Sequence, residues 1–383
     1  MIEILLQWMK TNCPGISKGY KISFLKTAFV FFFLFVQTIS FAHSKDTLAA
    51  SALHPLGRYA WTPEGNLELI SSGVHFGFSF LGTECKIYTA LSDPRAHSYL
   101  QYTIDGIYQK RIRISGNRFQ PIVVGGLSKG THTLWIYKAT EAATGPIFIQ
   151  KIAGGNIQTL KIPPKPLIEF IGNSITCGAA ADPSDIPCGM GEYHDQHNAY
   201  MAYGPRLARA LDVNFILSSV SGIGIYRNWN SLAPVMPQVY EKTDFQVNGV
   251  RNWDFKTYRP RIVSIALGTN DFSDGDHVQA RLPFDSTVFV SGYIQFVKLV
   301  KSKYPQARII LLSSPMLNGA KREKLQNCLK AVKCNTDKAF PSSKPVALFF
   351  FEPMQARGCG GHPNVEDHAI LARQLMPAFQ KLL

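Results

Sequence analysis

Two patterns of hydrophobic and polar positions divide the chain. Between residues 54 and 162, short apolar runs alternate with turn residues: VHFGFSF (74–80), CKIYTAL (85–91), YLQYTID (99–105), RIRIS (111–115), PIVVGGL (121–127) and HTLWIYKAT (132–140). Period-two alternation bounded by turn signals predicts strands, and Asp105-Gly106 is a hairpin-type turn pair. Closely spaced strands without helical periodicity predict a β-sandwich of jelly-roll type over 43–160. The stretch KIPPKP (161–166) then breaks both helix and sheet and predicts a linker.

Beyond the linker the apolar runs become continuous: LIEFI (167–171), VNFILSSV (213–220), RIVSIALG (261–268), RIILLSS (308–314) and VALFFFE (346–352). Uninterrupted runs suit strands covered on both faces, as in a parallel sheet. Helical periodicity falls between or after them, over 198–211, 286–304 and 367–383. Strand and helix in alternation predict a three-layer α/β domain with a flavodoxin-like parallel sheet over 167–383. In such a sheet the site forms from loops at the carboxyl ends of the strands.

Composition changes the picture at the start of the chain. Lys18, Lys21 and Lys26 precede an apolar run over 28–39, followed by Ser40 and Ala42. That order predicts a secretory signal over 1–42, cut before His43. The run is shorter than the roughly 20 residues a membrane span needs. The expected product is secreted or periplasmic, with no integral membrane span after signal removal. It keeps 36 basic and 25 acidic side chains, a net +11. No dense basic run appears, so nucleic acid is not an expected partner. Six of the seven cysteines remain, an even number that suggests disulfides in an exported protein. Cys177–Cys188 and Cys328–Cys334 would close short loops, with the pairing open. No zinc-type CxxC repeat is present, so a metal site is not expected; no other cofactor is expected either.

Four loops carry candidate chemistry. Ser174 follows the first buried run in IGNSIT (171–176). Gly222 follows the second in SVSGIG (219–224), and Asn270 the third in LGTND (267–271). His362 stands in GCGGHP (358–363), ahead of the last helix. A serine behind a glycine at a strand end can expose its hydroxyl. Glycines let backbone N–H groups approach a ligand. Each loop alone is also an ordinary turn or cap; the four in this order are more specific.

In this order they resemble the SGNH (GDSL-like) hydrolases over 167–383. The segments IYKATEAATG (136–145), TIDG (103–106) and SGIGIYRN (221–228) further resemble carbohydrate esterase family 2, the acetyl-xylan esterase type. The resemblance implies Ser174 as nucleophile and His362 as base. It implies an oxyanion hole from Ser174 N–H, Gly222 N–H and the Asn270 amide. The substrate would be an acetylated polysaccharide or oligosaccharide. Two positions depart from the pattern. Asn173 replaces the usual aspartate before the serine. Cys359 and Gly360 occupy the places where an acid would orient the histidine, so a Ser–His dyad held by a backbone carbonyl is expected. Glu352 is a remote substitute acid, and His368, behind Glu366 and Asp367, is a rival base. Trp229, Trp253 and Tyr226 are candidate sugar-binding aromatics. The competing readings are a non-catalytic carbohydrate-binding protein with a decayed site and a lipase or thioesterase. No long apolar lid supports a lipase.

Overall fold

Ten strands between Thr47 and Leu160 form one antiparallel hydrogen-bonded network. The computed structural model describes residues 46–278 and 280–383, so the expected leader at 1–42 lies outside the described residues. Two long strands, His75–Ala90 and Ile147–Leu160, pair with each other and form the spine. His75–Ala90 pairs with Thr131–Lys138 through its first half and with Gln120–Val124 through its second. A strand that changes partner in this way turns a corner and closes two layers over a core. Phe76, Phe78, Phe80 and Ile87 point inward against Leu134, Ile136, Ile149 and Ile152. The runs at 74–80 and 85–91 are therefore one bent strand rather than two. The bend is tight: a Cβ on Gly155 would lie 2.5 Å from the Leu81 carbonyl oxygen. Asp105 and Gly106 take φ of 51° and 82° and join His97–Ile104 to Ile107–Tyr108. Two left-handed central residues match the twist of paired strands.

The second domain is a five-stranded parallel sheet in the order Asn214–Ser219, Leu167–Gly172, Ile262–Ala266, Arg308–Leu312, Ala347–Phe349. The chain moves one way from its first strand and then the other way, which opens a crevice between the strands Leu167–Gly172 and Ile262–Ala266. Alternate strand residues serve the two faces. Ile171, Val263, Ile265 and Leu311 pack with Phe289, Tyr293, Leu325 and Leu329 from the helices Ser286–Lys303 and Gly319–Ala339. Ile168, Phe170, Phe215 and Ile310 pack with Tyr203, Leu207, Leu371 and Phe379 from Tyr203–Ala210 and Val365–Leu382. No helix of the described residues is long and apolar enough to cross a membrane.

The domains share a buried polar joint. Arg58 of the sandwich donates from Nη1 to the carbonyls of Tyr240 and Lys242, both at 2.7 Å. Its guanidinium stands 3.8 Å from Glu169 in the first parallel strand. Glu169 also accepts Ser218 Oγ–H at 2.6 Å and the Tyr240 hydroxyl. A charge buried this deeply is tolerable only with such partners. The sandwich is thus fixed against the parallel sheet.

Candidate active site

Ser174 opens the short helix Ser174–Cys177 at the carboxyl end of the first parallel strand. Glycine is needed before it, because a Cβ on Gly172 would lie 2.0 Å from Thr176 Oγ1. Asn173 caps the helix, its Oδ1 accepting Ile175 N–H at 3.1 Å. An aspartate would cap through the same kind of oxygen. The extra Asn173 Nδ2 is buried without a hydrogen-bond partner.

His362 follows the turn Cys359–Gly361. Its Nε2 lies 2.9 Å from Ser174 Oγ, and its Nδ1 lies 3.3 Å from the Cys359 carbonyl oxygen. A carbonyl can only accept, so Nδ1 carries the proton and the Nε2 lone pair faces the serine hydroxyl. Burial pushes the His362 pKa below the ordinary 6.5, opposed by the Cys359 carbonyl. The imidazole is therefore neutral and able to accept a proton at neutral pH.

The rivals lie elsewhere. His368 is fully buried, its Nδ1 accepts Tyr203 N–H at 3.2 Å, and burial pushes its pKa down to about 3. Glu352 pairs with Arg322 at 3.3 Å, while the His362 ring nitrogens face Ser174 and the Cys359 carbonyl.

Gly222 takes φ of 75°, and a Cβ there would lie 2.6 Å from Trp229 Cδ1. Trp229 thus lies against this loop, 41% exposed. The Asn270 amide nitrogen donates to the Ile223 carbonyl at 2.8 Å, which aims it and leaves its second hydrogen for a ligand. Asp271 is buried next to it and accepts the N–H groups of Ile225 (3.0 Å), Tyr226 (2.9 Å) and Arg227 (3.4 Å). Burial raises its pKa to about 6, against those three bonds.

Two of the candidate aromatics are corrected. Trp253 is buried against the Arg58 guanidinium, 5.4 Å from its ring, and against Tyr258. It belongs to the domain joint and has no free face for a sugar. The Tyr226 hydroxyl accepts Asp285 N–H at 3.1 Å while its ring packs on Phe284 and Phe289, so it buttresses the loop. Tyr193 is an aromatic the sequence reading missed. Its hydroxyl lies 3.4 Å from both His362 Nε2 and Ser221 Oγ, and its ring meets His197 edge-on.

The cysteine pairing is also corrected. Cys188 is bonded to Cys359, 171 residues away, while Cys85, Cys177, Cys328 and Cys334 are free. Cys328 and Cys334 sit six positions apart on the helix Gly319–Ala339 and so face different directions. Cys177 is buried against Ser219 Oγ at 3.2 Å. Among the described residues, one group offers three ligand-type atoms within 4.8 Å: His97, His194 and Asp195. Asp195 Oδ1 already accepts His97 Nε2–H (2.5 Å) and the Tyr99 hydroxyl (2.7 Å), and His194 donates to the His97 carbonyl.

An acyl-transfer site at a parallel-sheet crevice, behind an antiparallel sandwich, defines the class as an SGNH-type hydrolase with an accessory β-domain. The Carbohydrate esterase 2 N-terminal family matches residues 56–164, and the GDSL-like Lipase/Acylhydrolase family matches residues 170–337. The cellulase/esterase CelE of Acetivibrio thermocellus is 30% identical over 343 residues, which is 85% of this chain and 39% of that protein. The chain thus spans well under half of that relative's length. An acetylxylan esterase / glucomannan deacetylase of Cellvibrio japonicus is 26% identical, with 91% of this chain and 94% of that protein covered. The structure of a family two carbohydrate esterase from Cellvibrio japonicus superposes with a TM-score of 0.76 at 26% identity, covering 88% of this chain and 97% of that one. That of a family two esterase from Clostridium thermocellum in complex with cellohexaose gives 0.73 at 26% identity, over 88% and 98%. The chain thus carries the N-terminal domain of carbohydrate esterase family 2 joined to a GDSL-like hydrolase domain, the arrangement of these family 2 esterases.

Proposed function

We propose that the protein is an exported serine esterase that removes O-acetyl groups from a plant-type polysaccharide or oligosaccharide through a Ser174–His362 dyad. The observation that carries this is the 2.9 Å contact between Ser174 Oγ and His362 Nε2 at the crevice. His362 takes the hydroxyl proton as Ser174 attacks the acetyl carbonyl. The oxyanion is held by the N–H groups of Ser174 and Gly222 and by the free Asn270 amide hydrogen. His362 then protonates the departing sugar alkoxide, and water releases acetate by the same steps in reverse roles. In place of an acid, the Cys359 carbonyl fixes the ring and its tautomer. This matters because a wrong tautomer costs on the order of 10⁴ in rate. Trp229 and Tyr193, beside the oxyanion loop and the base, supply aromatic faces for sugar rings. Export fits a disulfide that joins two distant loops.

The test is acetate release from acetylated xylan, acetylated glucomannan and simple sugar acetates, followed by a series of longer acyl esters. A deacetylase loses most of its rate beyond two or three carbons. Equal or rising rates on long acyl chains support a lipase or thioesterase instead, and no hydrolysis of any ester supports a binding protein.

A further inference from the structure

Glu141 belongs to the sandwich, in the turn after the strand Thr131–Lys138. Its side chain is 3% exposed, yet it takes no part in the proton transfers above. Oε2 accepts Ser221 N–H at 2.7 Å, and Oε1 accepts His197 Nε2–H at 3.2 Å. Ser221 precedes Gly222, so the carboxylate grips the peptide next to the oxyanion donor. His197 Nδ1 accepts Ala180 N–H at 3.3 Å, which places the ring's own proton on Nε2. Two N–H donors therefore converge on one side chain, with the Cys177 thiol 3.6 Å from Oε2 besides, and only a carboxylate can accept from both N–H groups. The turn itself is locked from below. Lys138 is buried and donates from Nζ to the carbonyls of Ile70 (2.8 Å), Glu141 (2.8 Å) and Gly145 (2.7 Å). Across the boundary, Ala199 N–H also bonds the Ala139 carbonyl at 3.0 Å.

The same carboxylate reaches the neighbourhood of the base. His197 carries the Tyr193 ring against it at 4.8 Å, and the Tyr193 hydroxyl stands between Ser221 Oγ and His362 Nε2. Glu141 is thus bonded directly to the oxyanion loop and, through His197 and Tyr193, packed toward the dyad.

We propose that Glu141 is a positioning residue of the catalytic centre, through which the sandwich domain sets the Ser221–Gly222 peptide of the oxyanion hole. The inference rests on the reading that Gly222 N–H stabilises the oxyanion. It gives the N-terminal domain a part in the chemistry rather than in polysaccharide binding alone.

The substitution Glu141→Gln is isosteric but presents one acceptor and one donor. Whichever way the amide turns, it meets Ser221 N–H or His197 Nε2–H with an N–H of its own. A misaligned oxyanion donor weakens transition-state binding more than ground-state binding. On a sugar acetate, E141Q is expected to lose roughly tenfold or more in kcat with KM changed less than about threefold. Its affinity for a boronic acid, which forms a tetrahedral anion on Ser174, should fall by a similar factor. Glu141→Asp is the second variant. It keeps the charge but is too short to hold both donors, and the same loss is expected. Amide exchange at Ser221 reports independently, protected in the wild type and faster in either variant. A folded E141Q with kcat within twofold of wild type, or a loss confined to KM, overturns the proposal. An unprotected Ser221 amide in the wild type does so too. If Ser174→Ala keeps full activity, the esterase reading itself fails. If only Ser174→Ala is inactive while E141Q is not, the loss falls on Glu141 alone.

Discussion

The two sides of the Ser174 hydroxyl are held by different means. On the oxyanion side, two buried carboxylates accept four backbone N–H groups: Asp271 takes those of Ile225, Tyr226 and Arg227, and Glu141 takes that of Ser221. On the base side, one carbonyl at 3.3 Å orients the imidazole, within a loop that contains Gly358, Gly360 and Gly361. That loop is fastened covalently instead, by Cys359 to Cys188. A missing acid at the base thus does not leave the centre without carboxylates. They lie under the backbone of the proposed oxyanion hole, where accepting N–H groups stabilises a rigid arrangement. The base relies on cross-linking and burial.

Among substitutions that tell the two sides apart, the largest expected effect falls on the oxyanion side. Asn270→Ala removes a donor aimed by the Ile223 carbonyl, and kcat should fall roughly 10²–10³-fold with KM little changed. A loss below about threefold would remove Asn270 from the hole. A smaller effect tests the base side. Cys188→Ser frees the segment whose carbonyl holds His362, and kcat should fall roughly three- to tenfold, since small misplacements of a reacting group are costly. Reductant should lower wild-type activity to the same level and leave C188S unchanged. Identical kinetics with and without the bond would show that hydrogen bonding alone positions the base.

The smallest effect separates the two histidines of the last segment. His368 is held neutral, with its pKa pushed down to about 3, whereas in the unfolded chain it takes up a proton near the ordinary 6.5. Its contribution to stability is complete above about pH 6.5 and is lost as pH falls toward 3. His75, pushed down to about 4 by burial, acts in the same direction. Thermal unfolding followed across this window should show a shallower acid-side decline in His368→Gln. Its kcat at pH 7 should stay near that of the wild type. A large loss of kcat in a folded H368Q would return His368 to candidacy as the base.

Sequence pattern reads some of this molecule well. Strands buried on both faces announce themselves as continuous apolar runs, and all five parallel strands lie within the runs at 167–171, 213–220, 261–268, 308–314 and 346–352, to within a residue. The helix Gly319–Ala339 was missed although Leu325, Cys328, Leu329 and Val332 repeat at helical spacing, because charged residues dominate around them. In the site, Ser174, Gly222 and Asn270 stand out because each follows a recognisable strand, and His362 because it stands on a glycine-rich loop ahead of the last helix. Glu141, His197, Tyr193 and the Cys188–Cys359 bond do not. The contacts from Glu141 to His197, Tyr193 to His362 and Cys188 to Cys359 span 56, 169 and 171 residues, and no local periodicity encodes them. Trp253 was misplaced for the same reason: nothing near it in sequence reveals that Arg58 faces it.

Acetate release from an acetylated xylo- or manno-oligosaccharide by wild type and Ser174→Ala, with folding verified for both, tests the dyad most directly. Turnover by the wild type and a fall of roughly 10⁴-fold or more in the variant is the predicted result. Comparable rates from both proteins would contradict it.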